Sequence, residues 1–318
     1  MLKKCLLLAS LSSLVFAGNV KMDLNARQGS NNFHTKGVEK FASLVKDYTK
    51  GSVNITIHPG SSLVKGNPLK AVKDGTVAMA DMFIPFTAGG GKAFGISALP
   101  FIAQSYEDAY KLYQISKPAY DKVARKWNQK LLYSVTWPAS GFYGDNKLKS
   151  LCDLKSFKTR TYDKNSANFT NGAGGNAVAL PWAEVYSALR TGMVNSVITS
   201  SSSGKDGKFW EVLSDFTKIS YAYPLQAVTI NLDYWNSLTK DQKDAMLKAA
   251  SEIEKEQWKA VRVEDKHALD TMAKNGMKIS EASDSLKAEL SNIADEMLED
   301  YLSDANKDIK KIFEEYRK

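Results

Sequence analysis

Between positions 20 and 83 the spacing of apolar side chains changes in a regular order. Val20, Met22 and Leu24 alternate with polar neighbours, the period of a strand, which ends in Gln28, Gly29, Ser30, Asn31 and Asn32. Phe41, Leu44, Val45 and Tyr48 then fall at i, i+3, i+4 and i+7, one face of a helix, and Gly51 is a natural stop. Val53, Ile55 and Ile57 return to period two before His58, Pro59 and Gly60 close the run. Pro68 opens a shorter helix ended by Asp74 and Gly75, and residues 78–83 read as a buried strand. This order of strands and helices calls for crossover connections and predicts a largely parallel sheet. In such a sheet a ligand sits beyond the carboxyl ends of the strands, where loops 28–32 and 83–91 gather.

The pattern continues with an amphipathic helix over 105–128 and a strand over 130–135. Residues 139–149 are polar and turn-rich, a place for the chain to cross into a second domain. Strands are predicted at 157–162 and 177–180, and helices at 164–171 and 182–190. Residues 240–274 can run as one helix until Asn275 and Gly276, and 286–313 supplies more helix. A helix that long predicts an element spanning both domains. The expected division is 18–138 with 225–264, then 139–224 with 265–290, and a C-terminal helical segment over 291–318.

The first 17 residues stand apart. Lys3 and Lys4 precede an apolar run to Phe16, and Val15-Phe16-Ala17 sets small residues where a signal peptidase reads, so 1–17 is expected to be a secretory signal. The run is shorter than the roughly 20 apolar residues of a membrane span, and no later stretch is long enough either, so no membrane insertion is expected after cleavage. A mature chain near 300 residues exceeds what one core organises, which also points to two domains. Beyond the signal only Cys152 remains, which rules out an intrachain disulfide framework and is expected to be buried and inert. Formal charge is +8, or +6 without Lys3 and Lys4, but Lys and Glu are interspersed rather than striped. That pattern reads as solvated helix faces instead of a nucleic-acid surface, and its field favours an anionic small molecule.

Motifs of catalysis fail on their spacing. Gly89-Gly90-Gly91-Lys92 has Phe86 and Ala93 where a phosphate loop needs Gly and Ser or Thr. Residues 172–177 match a loose dinucleotide fingerprint, but helix precedes them and strand follows, so they read as a turn. His34, His58 and His267 have no His or Cys at ligand spacing, so no metal site is expected, and no cofactor. Thr199 to Ser203 is rich in hydroxyls without a Gly-x-Ser-x-Gly context, and reads as a polar loop lining a cavity.

The most specific stretch lies between 157 and 199. Lys158-Thr159-Arg160 forms a strand, Pro181-Trp182 follows, and then Glu184-Val185-Tyr186-Ser187-Ala188-Leu189-Arg190-Thr191-Gly192. This segment resembles the DctP-type solute-binding subunits of tripartite ATP-independent periplasmic (TRAP) transporters. Supporting matches are Ile57-His58-Pro59-Gly60, Lys73-Asp74-Gly75, Leu99-Pro100-Phe101, residues 208–212, and Asn231 followed by Tyr234-Trp235 and Leu238. The likeness covers roughly residues 20–275. It implies an α/β, two-domain periplasmic-binding-protein-like fold with a long helix spanning both domains and a ligand cleft between them. It also implies a non-enzymatic receptor in the periplasm that hands a small organic carboxylate to small and large membrane subunits.

The resemblance makes Arg160 the residue that pairs with the carboxylate, which agrees with the chemistry. A planar guanidinium binds both oxygens at once and offsets the hydration lost in a closed cleft. The competing reading is a surface arginine in an ion pair. Trp182 takes the family position whose ring faces the ligand, or else packs the domain core. Thr199 falls where sugar-acid-binding members have an asparagine on the ligand. Their second arginine aligns near Ser140, so a second arginine clamp is not expected, and Phe83, Pro85 and Phe86 stand where they carry an acid. Phe83, Phe86, Trp137, Phe142, Tyr143 and Trp182 together would form an apolar wall, although Trp137, Phe142 and Tyr143 equally fit hinge or core packing. Such a wall suits a monocarboxylate with an apolar or aromatic body, such as an aryl or branched keto acid. The rivals are the binding protein of an ATP-driven (ABC) importer, a periplasmic sensor, and a periplasmic serine hydrolase using Ser200 to Ser203.

Overall fold

The computed structural model describes residues 19–318, so the expected signal segment 1–17 lies outside the described residues. Two sheets organise the chain. The first uses β1 (Val20–Ala26), β2 (Val53–His58), β3 (Met79–Phe83), β4 (Gln129–Thr136) and, much later, a returning strand at Leu225–Asn231, in the order β2-β1-β3-return-β4. The second is built from β5 (Ser140–Gly144), β6 (Lys158–Thr161), β7 (Asn176–Ala179), β8 (Ser196–Ser200), β9 (Asp215–Lys218) and a last strand, Lys278–Glu281. In chain order the return strand is β10 and the last is β11, giving a second sheet ordered β11-β9-β5-β8-β6-β7.

Helices flank both sheets. Those of the first are α1 (Phe33–Tyr48), α2 (Pro68–Lys73) and α3 (Tyr106–Lys126). The second carries α4 (Leu151–Leu154), α5 (Lys164–Gly172), α6 (Trp182–Arg190) and α7 (Ser201–Asp206). Then come α8 (Leu232–Ser237), α9 (Lys240–Lys274), α10 (Asp284–Ser303) and α11 (Lys307–Tyr316). Every α-helical segment predicted from the spacing is present. Residues 286–313 form two helices, because the chain turns between Asp304 and Asn306, where Asn306 caps α11.

The first sheet is less parallel than the crossover pattern implies. β1, β2 and β3 are parallel, but β10 inserts antiparallel between β3 and β4. Residues 139–149 are not simply a turn-rich crossing, since 140–144 is β5, fully buried in the second sheet. Gly141 explains how so polar a stretch is a central strand. A Cβ there would lie 2.3 Å from the Phe216 ring and 2.8 Å from the Thr217 carbonyl, so only glycine lets β5 and β9 approach. Likewise Thr199 to Ser203 is not a loop. It is the end of β8 followed by α7, whose first turn is capped by the Ser200 hydroxyl accepting from the Ser203 N–H.

Two strands cross between the sheets side by side. The Trp137 N–H donates to Pro224 O (2.9 Å), Ser140 N–H to Ala222 O (2.9 Å), and Tyr221 N–H back to Ser140 O (2.9 Å). The third connection is α9. Its first half packs on the first sheet, with Trp258 Nε1 donating to Ser134 O (2.9 Å). Its second half reaches the second domain, where the Ser201 hydroxyl donates to Asp265 (2.5 Å) and Met272 is buried in the core. One long helix thus serves both cores. Among the described residues no helix is long and apolar enough to cross a membrane.

Candidate functional site

The carboxyl ends of β1 and β3, the crossing strands, and the ends of β6 and β8 surround one cleft of about 380 Å³. Of the residues singled out from the sequence, Arg160, Trp182, Thr199, Ser140, Phe83, Phe86 and Trp137 all line it. Tyr143 and Phe142 do not. Along β5 the side chains alternate, which turns Tyr143 away from the face Ser140 presents to the cleft. Phe142, on the same face as Ser140, lies two residues further along and packs in the core. Phe142 packs on Phe157 at 5.1 Å, while Tyr143 stacks on Phe216 at 4.2 Å and donates its hydroxyl to Ser200 O (3.0 Å). Gly204 makes room for that hydroxyl, since a Cβ there would meet it at 2.2 Å. Tyr143 is a core residue of the second domain.

Arg160 sits on β6 and is 2% exposed. Its Nε and one Nη donate to Leu180 O at 3.1 and 3.0 Å, which fixes the guanidinium plane. Among the described residues it has no carboxylate within ion-pair distance. Burial pushes its pKa down to about 10, with Tyr162 and Asp163 offsetting part of the shift and Arg27 adding to it. The side chain therefore stays charged at neutral pH, out of water and with Asp163 acting on it only from beyond ion-pair distance. Removing an ion from water costs several kcal/mol unless something pairs with it. A surface ion pair, the competing reading, does not describe this arginine.

Trp182 opens α6 behind Pro181, and its ring centroid lies 5.9 Å from the Arg160 guanidinium and 5.9 Å from Phe209. Both readings of Trp182 apply, because one face borders the cleft and the other packs the core. Trp137 likewise does two things, since it belongs to the crossing strands and also forms cleft wall. Its Nε1 donates to Gln226 Oε1 (3.1 Å) and its ring lies 4.4 Å from His34. Phe83 meets Phe86 at 5.1 Å and, across the cleft, Tyr162 edge-on at 5.6 Å. Thr199 and Ser140 are buried hydroxyl residues, and Ser140 Oγ lies 3.4 Å from Tyr162 OH.

The sequence reading missed several lining residues. Arg27 reaches the cleft from the first domain, with its guanidinium 4.4 Å from the Phe86 ring centroid. A second arginine is therefore at the cleft after all, but not at the Ser140 position. Its position directly after an alternating strand, at the end where ligands gather, was a usable signal. Tyr162 stands one residue past β6 and two after Arg160, so it continues the face of the strand that Arg160 presents. At the mouth, Asn32 Nδ2 donates to Asp206 (2.8 Å) and joins the two domains, a contact spanning 174 residues that no local pattern announces. Burial raises the Asp206 pKa, and the Asn32 hydrogen bond counters part of that rise.

An acid does stand on β3, but behind the wall. Asp81 is 1% exposed and shares a small cavity with His34, Tyr133, Gln226 and Gln257. Burial lifts its pKa to about 7, while Gln226 and Arg27 pull it back down. His34 is buried and held neutral by desolvation. The Ser200 hydroxyl bonds to those of Ser202 and Ser203, and among the described residues neither it nor Ser203 has a histidine partner. Among the described residues no group of three or more His, Cys, Asp and Glu side chains is placed to hold a metal ion. Cys152 is exposed on α4 rather than buried, because it falls on the outer side of a four-residue helix.

A family model for bacterial extracellular solute-binding proteins, family 7 (DctP), matches residues 24–304. The chain belongs to the DctP family of TRAP solute-binding proteins. This DctP-family chain is 29% identical over 261 residues to a solute-binding protein of Albidiferax ferrireducens, covering 79% of this chain and 76% of that one. Among solved structures, a TRAP solute-binding protein from an unidentified marine microbe, described as specific for pyroglutamate, is 32% identical. Its TM-score is 0.90, with 94% of this chain and 99% of that one covered. A Bordetella pertussis extracytoplasmic solute receptor binding pyroglutamic acid has a TM-score of 0.91 at 26% identity, covering 94% and 100%. The DctP family is one of solute receptors and not of enzymes.

Proposed function

We propose that this chain is the periplasmic receptor of a TRAP transporter, that it captures a small monocarboxylate between its two domains, and that it delivers this acid to the small and large membrane subunits. The observation that carries the reading is Arg160, buried at 2% exposure and spending two N–H groups on Leu180 O with no carboxylate within ion-pair distance among the described residues. A carboxylate entering the cleft would take the remaining Nη donors as a charge-assisted fork. Ser140, Thr199 and Tyr162 supply neutral hydrogen-bonding groups, and Phe83, Trp137 and Trp182 supply flat apolar walls. That division suits a compact body with few hydroxyls.

Pyroglutamate, the ligand named for the two related structures, has this chemistry, with one carboxylate on a small ring whose amide offers a single donor and a single acceptor. It narrows the expectation of an aryl or branched keto acid to a smaller ring acid. Hinge closure about the crossing strands and α9 would seal the acid from water and present the shape read by the membrane subunits. The test is isothermal titration with a panel of pyroglutamate, branched keto acids, arylacetates and glucuronate. Tightest binding by pyroglutamate, with loss in Arg160→Ala, is the expected result. Tightest binding by glucuronate, or binding unaffected by Arg160→Ala, would overturn it.

A further inference from the structure

We propose that Arg27 grips the same carboxylate as Arg160 from the opposite domain, so that the anion itself ties the two halves of the receptor together. This inference rests on the reading of the cleft as a carboxylate site and adds a residue that the resemblance did not assign. Arg27 stands one residue beyond β1 of the first sheet, and Arg160 on β6 of the second. Both side chains line one cleft.

Three observations carry it. Among the described residues the Arg27 guanidinium takes part in no hydrogen bond and no ion pair, and what is engaged is its backbone, the carbonyl by Ser61 and the amide by Asp81. The guanidinium lies over the Phe86 ring, 4.4 Å from the centroid, an arrangement that holds the plane while leaving N–H edges free. Finally, the two cations sense each other, because Arg27 adds to the depression of the Arg160 pKa. Burial also lowers the Arg27 pKa, and its nearby acid, Asp81, is turned into the cavity behind the wall and offsets only part of this.

A carboxylate resolves the arrangement. It offers about four lone-pair sites, of which a fork from Arg160 uses two and leaves two for a second guanidinium. Repulsion between the arginines opposes closure of the empty cleft, and a shared anion converts that repulsion into attraction on both sides. Closure is then conditional on a negative charge, which would exclude neutral solutes of the same shape.

Titration of the wild type, Arg27→Gln, Arg27→Lys and Arg160→Gln with pyroglutamate tests this, each protein's unfolding temperature being measured alongside. Arg27→Gln is expected to bind about 10–100-fold more weakly, the range for losing a charged hydrogen-bond partner. Arg27→Lys, which keeps the charge, is expected to bind at least threefold more tightly than Arg27→Gln. Binding by Arg27→Gln within threefold of the wild type would overturn the inference. So would a loss that Arg27→Lys fails to recover, since that marks a structural role. Arg160→Gln separates the two claims. If it abolishes binding while Arg27→Gln does not, only this inference falls. If it binds like the wild type, or if no acid of the panel binds the wild type, the carboxylate reading falls and takes this inference with it.

Discussion

Glu254 on α9 and Arg160 on β6 are both nearly removed from solvent, at 8% and 2% exposure, yet their surroundings are opposite. Glu254 accepts from Lys117 Nζ at 2.9 and 3.1 Å, from the Tyr113 hydroxyl, and from the Ser134 N–H at 3.2 Å. Its charge is met from three directions, so the cluster joins α3, β4 and α9 as permanent structure. Arg160 is met by the Leu180 carbonyl and the Trp182 ring, and by no carboxylate within ion-pair distance among the described residues. A buried charge with its partners supplied by the chain is part of the scaffold, whereas one without them is where a guest of opposite sign belongs.

Substitutions can break this contrast in order of size. Arg160→Ala should weaken binding of the cognate acid by about 100-fold or more, as expected for truncating a buried charged partner. Because an uncompensated charge is removed, the unliganded protein should unfold at the same or a higher temperature. Calorimetric titration and thermal melts check both halves. Glu254→Ala should do the reverse, costing about 3–5 kcal/mol of stability by stranding Lys117 and Tyr113. Its folded fraction should still bind the acid with an affinity within about twofold of the wild type, a ratio set by the separation of the two sites.

Asp81 sharpens the comparison, as a buried acid behind the cleft wall whose compensation is incomplete. Its folded pKa of about 7 stands above the ordinary carboxylate value. The folded state therefore binds the proton more tightly, and this stabilisation is complete below about pH 4 and lost as pH rises through about 7. Asp81→Asn should flatten the fall in unfolding temperature over that window and raise it by about 2–4 °C at pH 8. A parallel pair of melting curves from pH 4 to 8 decides it. The smallest effect is expected for Tyr143→Phe, which removes the hydrogen bond to Ser200 O and should cost about 1 kcal/mol. Ligand affinity should stay unchanged there, and a loss beyond threefold would return Tyr143 to the cleft wall.

The helices were readable because their signals are local. Thr239 caps α9 and Gln242 returns the bond, so the sequence carries its start, while Asn275 and Gly276 carry its end. The polar strands were not. Ser140–Gly144 and Ser196–Ser200 lie deep in the second sheet with serines, threonines and glycines, because cross-strand bonds such as Thr159 to Ser196 (2.7 Å) satisfy the hydroxyls. Nothing in the order of residues within either stretch announces such partners. Asp215–Lys218 and Lys278–Glu281 pair with each other across 63 residues, too short and too distant for periodicity to reveal.

By itself the sequence determined a two-domain α/β receptor with a long shared helix, because period, caps and the ordered run from Lys158 to Gly192 are properties of neighbours along the chain. It also named much of the cleft, the loops at 28–32 and 83–91 because strand ends are where a parallel-type sheet leaves its ligand site, and Arg160, Trp182, Thr199 and Ser140 through the family resemblance. Only tertiary structure decided which side of β5 faces that site, that Arg27 arrives from the other domain, and that no described acid comes within ion-pair distance of Arg160. Those facts depend on which groups the fold brings together in space, and on how much water it leaves between them.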